Sequence, residues 1–301
     1  MQPLPHGPAP RRHRILAAAA ALVVLATLHL GAAGPNFLWK ATGPRGGTVY
    51  LAGSLHLLTN EYYPLAPAFD DAFTQSDLLV EELDMAEMLT PEAQMLMLQR
   101  GMMPAGQTLD KVLSPETMAS VREKVTEMGL PMAPLQLFKP WALALTLQGL
   151  EWQKAGFDPE LGLDRHFYDR AKKGQVTVQG LETLAFQIGQ FDELPMPLQD
   201  RMLAETLREM ETTKESVGEL ARAWKAGDTG AIEKVVLNDL KSEPQMYQRL
   251  LVDRNRAWLP KIEALFARPK PAFVVVGAAH LVGTDGLITM LRAKGYTITQ
   301  L

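Results

Sequence analysis

The chain has 301 residues, of which 47% are apolar and 21% charged, with a net charge of −4. This length and composition are typical of a globular protein with one large domain or two small ones. The acidic balance argues against nucleic-acid binding, which needs a basic face, and the absence of cysteine excludes disulfides, thiolate metal sites and cysteine nucleophiles.

The N-terminal segment has the pattern of an export signal. Three arginines among residues 11–14 precede the apolar run 15–30, and small residues follow up to Ala33. This order is typical of a secretory signal peptide, here spanning 1–33. The apolar run is also near the lower length for a membrane-spanning helix, so an uncleaved N-terminal anchor is the alternative. Both versions predict export, to the periplasm or to the inner membrane facing it, and leave 34–301 as a single domain.

Short apolar runs rich in β-branched residues alternate with long helical stretches. The runs that predict strands are 37–41, 48–52, 77–83, 175–178, 272–276 and 296–301. A glycine-rich turn between the first two predicts a hairpin. Helical patterns occupy about 85–174 and 184–267. The sequence therefore predicts an α/β (α+β) fold, with a central mixed sheet flanked by helices and a large helical middle insertion.

The first helical stretch carries clear helix starts and many methionines. Thr90–Glu92 and Ser114–Glu116 each place a capping side chain, then proline, then an acid at the start of a helix. Methionines recur between residues 85 and 103. Because methionine is a flexible apolar filler, we expect these side chains to pack in the core, with an adaptable apolar surface as the alternative.

Two Gly-x-x-His elements each follow a predicted strand. They are Gly53–His56 and Gly277–His280, and beyond the N-terminal segment the chain has only one other histidine. Glutamates stand at the ends of two further strands, as the pair Glu81 and Glu82 and as Glu182. Ligands of open α/β sheets bind beyond the carboxyl ends of the strands. If these four strands are parallel neighbours, two imidazoles and two carboxylates converge on one site.

Such a set of side chains is suited to two kinds of chemistry. Two histidines with a carboxylate are a common ligand set for zinc or another divalent transition metal, which would polarise a carbonyl and activate water. Without a metal, the same histidine could act as a general base oriented by a glutamate. The His-Glu-x-x-His, Gly-x-Ser-x-Gly and P-loop motifs are absent.

Each candidate residue also has a purely structural interpretation. A histidine after a strand can be a loop or core residue. Glu81 and Glu82, which alternate between the two faces of their strand, can form its solvated end. Glu182 can be an acid at a helix N-terminus. His166 falls within a helical pattern, where we expect a surface position.

Seven short motifs carry a resemblance to a known family. They are Tyr50–His56, Asp77–Asp84, Lys139–Trp141, Gly162–Asp164, Leu181–Thr183, Asp253–Asn255 and Val276–Gly283. In this order and spacing the chain resembles the TraB/GumN (TraB/PrgY/GumN) family. That family includes the Tiki-type metalloproteases and lies near the erythromycin-esterase-like and ChaN-like proteins. The resemblance spans nearly the whole chain after the N-terminal segment.

The resemblance implies which side chains form the site. The family pattern selects Glu82 rather than its neighbour, and implies a metal-dependent, hydrolase-like site in which His56, Glu82 and His280 are catalytic residues and metal ligands. Glu182 and Arg254 are implied as further site residues. Arg254 would hold a carboxylate or a developing oxyanion, or alternatively form an ion pair on a helix surface.

We therefore expect an exported, metal-dependent hydrolase, peptidase-like, that acts on a peptide or a small molecule. Its cofactor would be a divalent ion such as Zn, Mn or Co. The alternative is a non-catalytic periplasmic protein of the same fold that binds a peptide, a small ligand, a metal or haem iron. Neither interpretation involves nucleic acid, and membrane contact would be only through the uncleaved N-terminal segment. The sequence leaves the oligomeric state open.

Overall fold

The computed structural model describes residues 34–301, except for the side chains of residues 213, 214 and 239. The predicted leader, residues 1–33, lies outside the described residues. Residues 34–301 cluster into one structural unit. Within this range, no helix combines the length and the apolar character needed to cross a membrane.

The strands of residues 34–301 form one mixed six-stranded sheet. They are β1 (Leu38–Thr42), β2 (Thr48–Ser54), β3 (Leu78–Glu81), β4 (Thr177–Gly180), β5 (Ala272–Gly277) and β6 (Thr297–Gln300). Their order is β4-β3-β5-β2-β1-β6. Neighbours within β4-β3-β5-β2 are parallel, whereas β1 is antiparallel to both β2 and β6. The predicted mixed sheet, with four parallel neighbours, is confirmed.

The burial of the strands explains their sequence patterns. Every residue of β5 except the last is buried, as expected for a central strand covered on both faces, and this is why its sequence is continuously apolar. The edge strands β4 and β6 instead alternate between exposed and half-buried residues. In the register, Gly53 pairs with Val276 and Glu81 pairs with Val275. The carboxyl ends of these strands therefore lie along one edge of the sheet.

The helices before β4 occupy the first predicted helical stretch and the segment before it. They are α1 (Pro67–Thr74), α2 (Met85–Met88), α3 (Pro91–Gly101), α4 (Leu109–Val112), α5 (Pro115–Glu127), α6 (Met132–Leu135), α7 (Pro140–Lys154) and α8 (Leu163–Gly174). The predicted helix starts are confirmed. Thr90 Oγ1 accepts a hydrogen bond from Ala93 N, and Ser114 Oγ accepts one from Thr117 N, both at 3.1 Å.

The remaining helices follow β4 and β5. They are α9 (Leu184–Asp192), α10 (Met196–Glu209), α11 (Thr213–Lys225), α12 (Thr229–Ile232), α13 (Asn238–Ser242), α14 (Pro244–Tyr247), α15 (Asp253–Leu265) and α16 (Leu287–Ala293). Two π-helical turns, Glu233–Leu237 and Gln248–Val252, interrupt this region. Such turns are often found at functional sites. The second one ends directly before the first turn of α15, which contains Arg254.

The apolar residues form more than one core. The largest cluster surrounds the sheet, and a separate cluster joins α4, α5, α7 and α10. The prediction that the methionines of residues 85–103 pack in the core is wrong for Met88, Met95 and Met97, which are exposed. No residue of α2 is buried, and on α3 only Ala93 and Gly101 are, so little of these helices packs against the rest of the protein.

Candidate active site

The strand ends bring the predicted site residues into one cluster. His56, Glu82, Glu182 and His280 follow β2, β3, β4 and β5, and Arg254 reaches them from the first turn of α15. Because the four strands are parallel neighbours, these side chains emerge at the same edge of the sheet. The structure thus brings together all five residues that the sequence singled out.

Arg254 is the centre of this cluster. Its Nη2 donates to Glu82 Oε2 at 2.6 Å and to Glu182 Oε1 at 2.5 Å. Its Nε donates to Glu182 Oε1 at 3.0 Å, and its Nη1 donates to His280 Nε2 at 3.1 Å and to the Leu250 carbonyl at 3.2 Å. The side chain is only 10% exposed. The alternative of a surface ion pair is therefore wrong, because Arg254 is buried between two carboxylates.

Both carboxyl oxygens of Glu82 accept hydrogen bonds within the protein. Its Oε1 accepts from the Gly277 amide at 2.7 Å, and its Oε2 accepts from Gln187 Nε2 at 3.1 Å as well as from Arg254. Burial favours the neutral form of this carboxyl, but the charge of Arg254 and the Gly277 N–H outweigh it and lower the pKa of Glu82 to about 2. Glu82 is therefore an anion at neutral pH.

The neighbouring Glu81 has a different environment. Both of its carboxyl oxygens are buried without a hydrogen-bond partner. Burial, followed by the negative charges of Asp164 and Asp84, raises the pKa of Glu81 to about 9. The interpretation of this pair as a solvated strand end is wrong, because Glu81 and Glu82 are both largely buried.

His280 is a buried, neutral imidazole with a fixed tautomer. Asn255 Nδ2 donates to two backbone carbonyls, those of His280 and Asp285, which leaves Asn255 Oδ1 to accept from His280 Nδ1 at 2.7 Å. The other ring nitrogen, Nε2, then accepts from Arg254. Burial, reinforced by the charge of Arg254, lowers the pKa of His280 to about 3. The ring also packs against Trp258, with 4.4 Å between centroids.

His56 is held by a carboxylate rather than by the buried cluster. Its Nδ1 lies 2.9 Å from Asp164 Oδ2, and its side chain is 61% exposed. The negative charge of Asp164 is the main cause that raises the pKa of His56 to about 9, against a smaller opposing effect of burial. A proton on Nδ1 directed at Asp164 leaves Nε2 as the nitrogen that faces the cluster.

Backbone contacts place Asp164 beside His56. Leu58 and Asp158 exchange backbone hydrogen bonds in both directions, and the Leu163 amide donates to the Leu55 carbonyl at 3.1 Å. A Cβ at Gly162 would lie only 2.2 Å from the His56 carbonyl oxygen. Glycine is therefore required for this close approach, which delivers Asp164 to the imidazole.

The two histidines and Glu82 face a common point above Gly277. A Cβ at Gly277 would stand 3.2 Å from Glu82 Oε1 and 3.5 Å from His280 Cδ2. The same point lies 3.8 Å from His56 Nε2. The glycine therefore leaves a space where a small group of a ligand can reach all three side chains.

Sequence reasoning missed several partners of the predicted residues. Asp164 and Asn255 orient His56 and His280, Gln187 holds Glu82, and Trp258 Nε1 donates to Glu182 Oε2 at 2.9 Å. Asp164 and Asn255 lie within the family motifs Gly162–Asp164 and Asp253–Asn255, so these motifs could have identified both. The expected surface position of His166 is wrong, because the ring is half-buried against Tyr63 and Phe167, outside the cluster.

The predicted metal ligands, as they are arranged here, do not fit a resident divalent metal. Within residues 34–301, no group of three or more histidine, aspartate or glutamate side chains is placed to hold one. Glu82 uses both oxygens, and His280 Nε2 faces a guanidinium N–H. A metal on His56, Glu82 and His280 would need the His280 Nε2 lone pair, which here accepts from Arg254. The predicted metal ligands are thus brought together, but with Arg254 in contact with two of them.

Comparison with known proteins agrees with the motifs. The model of the TraB/PrgY/gumN family matches residues 37–300. The chain is 28% identical over 272 residues to the protein recorded as Uncharacterized protein YbaP in Escherichia coli (strain K12), covering 88% of this chain and 97% of that protein. The YbaP protein of Shigella flexneri matches with the same identity and coverage. No solved structure matches the chain significantly. With a family model that spans nearly all of the described residues, the chain belongs to the TraB/PrgY/gumN family.

Proposed function

We propose that this protein is a hydrolase that cleaves a peptide or another small carbonyl compound at the space above Gly277. The observation that carries the proposal is the His56–Asp164 pair at the mouth of a buried, charged cluster. In this pair the carboxylate holds one imidazole nitrogen and leaves the other free toward a ligand. Proton transfer to and from a substrate requires this arrangement.

In the proposed reaction His56 moves the proton. Neutral His56 takes a proton from the attacking water at Nε2, and the resulting imidazolium gives it to the leaving group. Asp164 stabilises the charged ring through the contact at Nδ1. Because the pKa of His56 is raised to about 9, the base form becomes more populated as the pH rises toward that value. The rate should therefore increase with pH over this range.

The buried cluster supplies a rigid floor to the site. Arg254 has five N–H groups, and each has a partner in the protein. It therefore has no donor to spare for a substrate oxyanion, and the two carboxylates beside it offset its charge. The carboxylates of Glu82 and Glu182 fix its position. Their role in this proposal is to hold the guanidinium and the Gly277 backbone in place.

The metal-dependent form of this hydrolase stays a prediction. It would place Zn²⁺, Mn²⁺ or Co²⁺ on His56, Glu82 and His280, and Arg254 would have to release His280 Nε2. An assay with added metal, and one with a chelator, tests this form directly. The reaction without a metal requires no such movement, and in it His56 alone transfers the proton.

A second candidate is a protein that binds a peptide, a small ligand or haem iron without turnover. The observation in its favour is that every N–H of Arg254 and both carboxyl oxygens of Glu82 have partners within the protein. Such a rigid arrangement is expected of a binding surface as well as of a catalytic one. A ligand recovered unchanged after long incubation would support binding, and a cleaved ligand would support the hydrolase.

The test is turnover of a broad panel of peptides and small esters by the purified protein, with His56→Ala as the key variant. We expect His56→Ala to lower the rate by about 10²- to 10⁴-fold, the usual contribution of a general acid or base. His166→Ala is the matched control, since this histidine is outside the cluster. Equal rates for the wild type and His56→Ala, or no turnover of any member of the panel, would contradict the proposal.

We also propose that the protein is exported. The support is the arginine-rich start and the apolar run of residues 11–30, which lie outside the described residues. Intact mass spectrometry of the protein recovered from cell fractions tests this. A periplasmic chain that begins near Gly34 is the expected result, and a full-length chain in the inner membrane would indicate the anchor.

A further inference from the structure

The buried cluster is built around a cation. Arg254 is 10% exposed, and the side chains around it are nearly as buried, with Glu82 at 11%, Glu182 at 5% and His280 at 7%. Two carboxylates and the lone pair of a neutral imidazole point at one guanidinium. Burying two carboxylates is expensive unless a positive charge lies between them, and here the protein supplies that charge itself.

The side chains that surround Arg254 are also of the kind that bind a divalent metal. Carboxylate oxygens and a neutral imidazole nitrogen are ordinary ligands of Zn²⁺ and Mn²⁺. They are also held by further contacts, as metal ligands usually are. Asn255 fixes His280 through Nδ1, and Trp258 holds Glu182. None of these supporting contacts requires the guanidinium.

We propose that Arg254 is the resident cation of this site, in the place where the sequence predicted a divalent metal. Two consequences follow. The wild-type protein does not hold a divalent metal on Glu82 and His280. Removal of the guanidinium leaves an anionic space lined by Glu82, Glu182 and His280, which binds a divalent cation.

Electrostatics explains why the two cations exclude each other. A metal bound to Glu82 and His280 would lie beside the guanidinium and would be repelled by its charge. It would also have to take His280 Nε2 from Arg254 Nη1, a contact of 3.1 Å, and it would compete with Arg254 Nη2, which lies 2.6 Å from Glu82 Oε2, for the charge of that carboxylate. The donors released from Arg254 would then remain unpaired in a buried site.

The test is metal binding by the full-length protein and its variants, measured by equilibrium dialysis with elemental analysis and by thermal shift. After dialysis against Zn²⁺ or Mn²⁺, we expect the wild type to retain no stoichiometric metal. Arg254→Ala should bind close to one ion per chain, at least about tenfold more tightly than the wild type. Its melting temperature should rise with metal concentration, as mass action requires.

Two control variants separate the guanidinium site from other effects. Arg254→Lys keeps a positive charge in the same place and should stay insensitive to metal. Arg249→Ala removes an arginine five residues earlier, which contacts Glu193 and the Gly189 and Gln190 carbonyls rather than the cluster, and should also gain no metal. A gain of metal in either control would overturn the proposal, because the effect would not depend on vacating the site.

The outcomes remain decisive if Arg254→Ala folds poorly. The double variant Arg254→Ala with Glu182→Gln removes one of the two unpaired charges and should also gain metal. A folded variant of either kind without metal binding overturns the proposal. If neither variant folds, the wild type decides, since stoichiometric metal that is lost in Glu82→Gln would overturn it and absence of such metal supports it. These measurements do not require turnover, so this proposal and the hydrolase proposal can fail independently.

Discussion

The two Gly-x-x-His elements share a sequence pattern and a place in the fold, yet their histidines lie in opposite environments. His56 is mostly exposed and pairs with Asp164, which raises its pKa to about 9. His280 is buried, pairs with Asn255 and Arg254, and has its pKa lowered to about 3. One imidazole is therefore cationic at neutral pH and the other is neutral.

The difference between the two histidines comes from residues far away in the sequence. Asp164 is 108 positions from His56, and Asn255 and Arg254 are 25 and 26 positions from His280. The local motif delivers each ring to the edge of the sheet, while the partner decides whether the ring carries a proton. A shared motif thus predicts position and does not predict chemical state.

The largest expected effect that separates the two histidines is on stability. His280→Ala leaves Arg254 Nη1 and Asn255 Oδ1 without their partner and opens a cavity beside Trp258, so we expect a loss of about 3 kcal/mol in the free energy of unfolding. His56→Ala removes an exposed ring and one surface ion pair and should change it by less than about 1 kcal/mol. Urea denaturation of both variants measures this. Equal losses would contradict the assignment of one buried and one exposed ring.

A smaller effect is expected from the partner of His56. Asp164→Asn removes the negative charge that raises the pKa of His56, which should fall from about 9 toward its ordinary value. The pH–rate profile of the hydrolase should shift to lower pH in the same direction. Asp169→Asn, on the same helix but paired with Arg165, is the matched control and should leave both unchanged. An unaltered pKa in Asp164→Asn would show that the pair does not set the charge of His56.

The smallest effect concerns the dependence of stability on pH. The folded pKa of His56 lies above the ordinary value of 6.5, so its contribution is full below pH 6.5 and is lost as the pH rises through about 9. The folded pKa of His280 lies below 6.5, so its contribution is present above pH 6.5 and declines as the pH falls toward 3.

This dependence can be measured as a difference from the alanine variants. The gap in unfolding free energy between the wild type and His56→Ala should shrink between pH 6.5 and 9, by about 0.5 kcal/mol because the pair is exposed. The gap to His280→Ala should instead shrink below pH 6.5. Gaps that change in the same direction would remove the contrast between the two histidines.

The sequence predicts the framework of the site well because that framework depends on local patterns. Continuous apolar runs with glycine at their ends indicate buried strands, and the four strand-end residues lie together because β2, β3, β4 and β5 are parallel neighbours. The family resemblance, and not alternation along the strand, selects Glu82 over Glu81. The buried state of both glutamates could not be read from their polarity.

What the sequence did not predict depends on contacts between distant segments. Asp164 reaches His56 only because the segments around residues 58 and 158 pair and Gly162 allows close approach. Every N–H group of Arg254 finds a partner within the protein, and this depends on how β3, β4 and α15 are placed together. The exposure of Met95 and Met97 likewise follows from where α3 lies in the fold, which periodicity alone does not give.

The most direct measurement is a nitrogen and proton NMR titration of the imidazole rings in the wild-type protein. His56 should stay protonated until about pH 9, whereas His280 should stay neutral between pH 5 and pH 9 with its proton on Nδ1. Two rings that both titrate near the ordinary value of 6.5, or a cationic His280 at neutral pH, would contradict it.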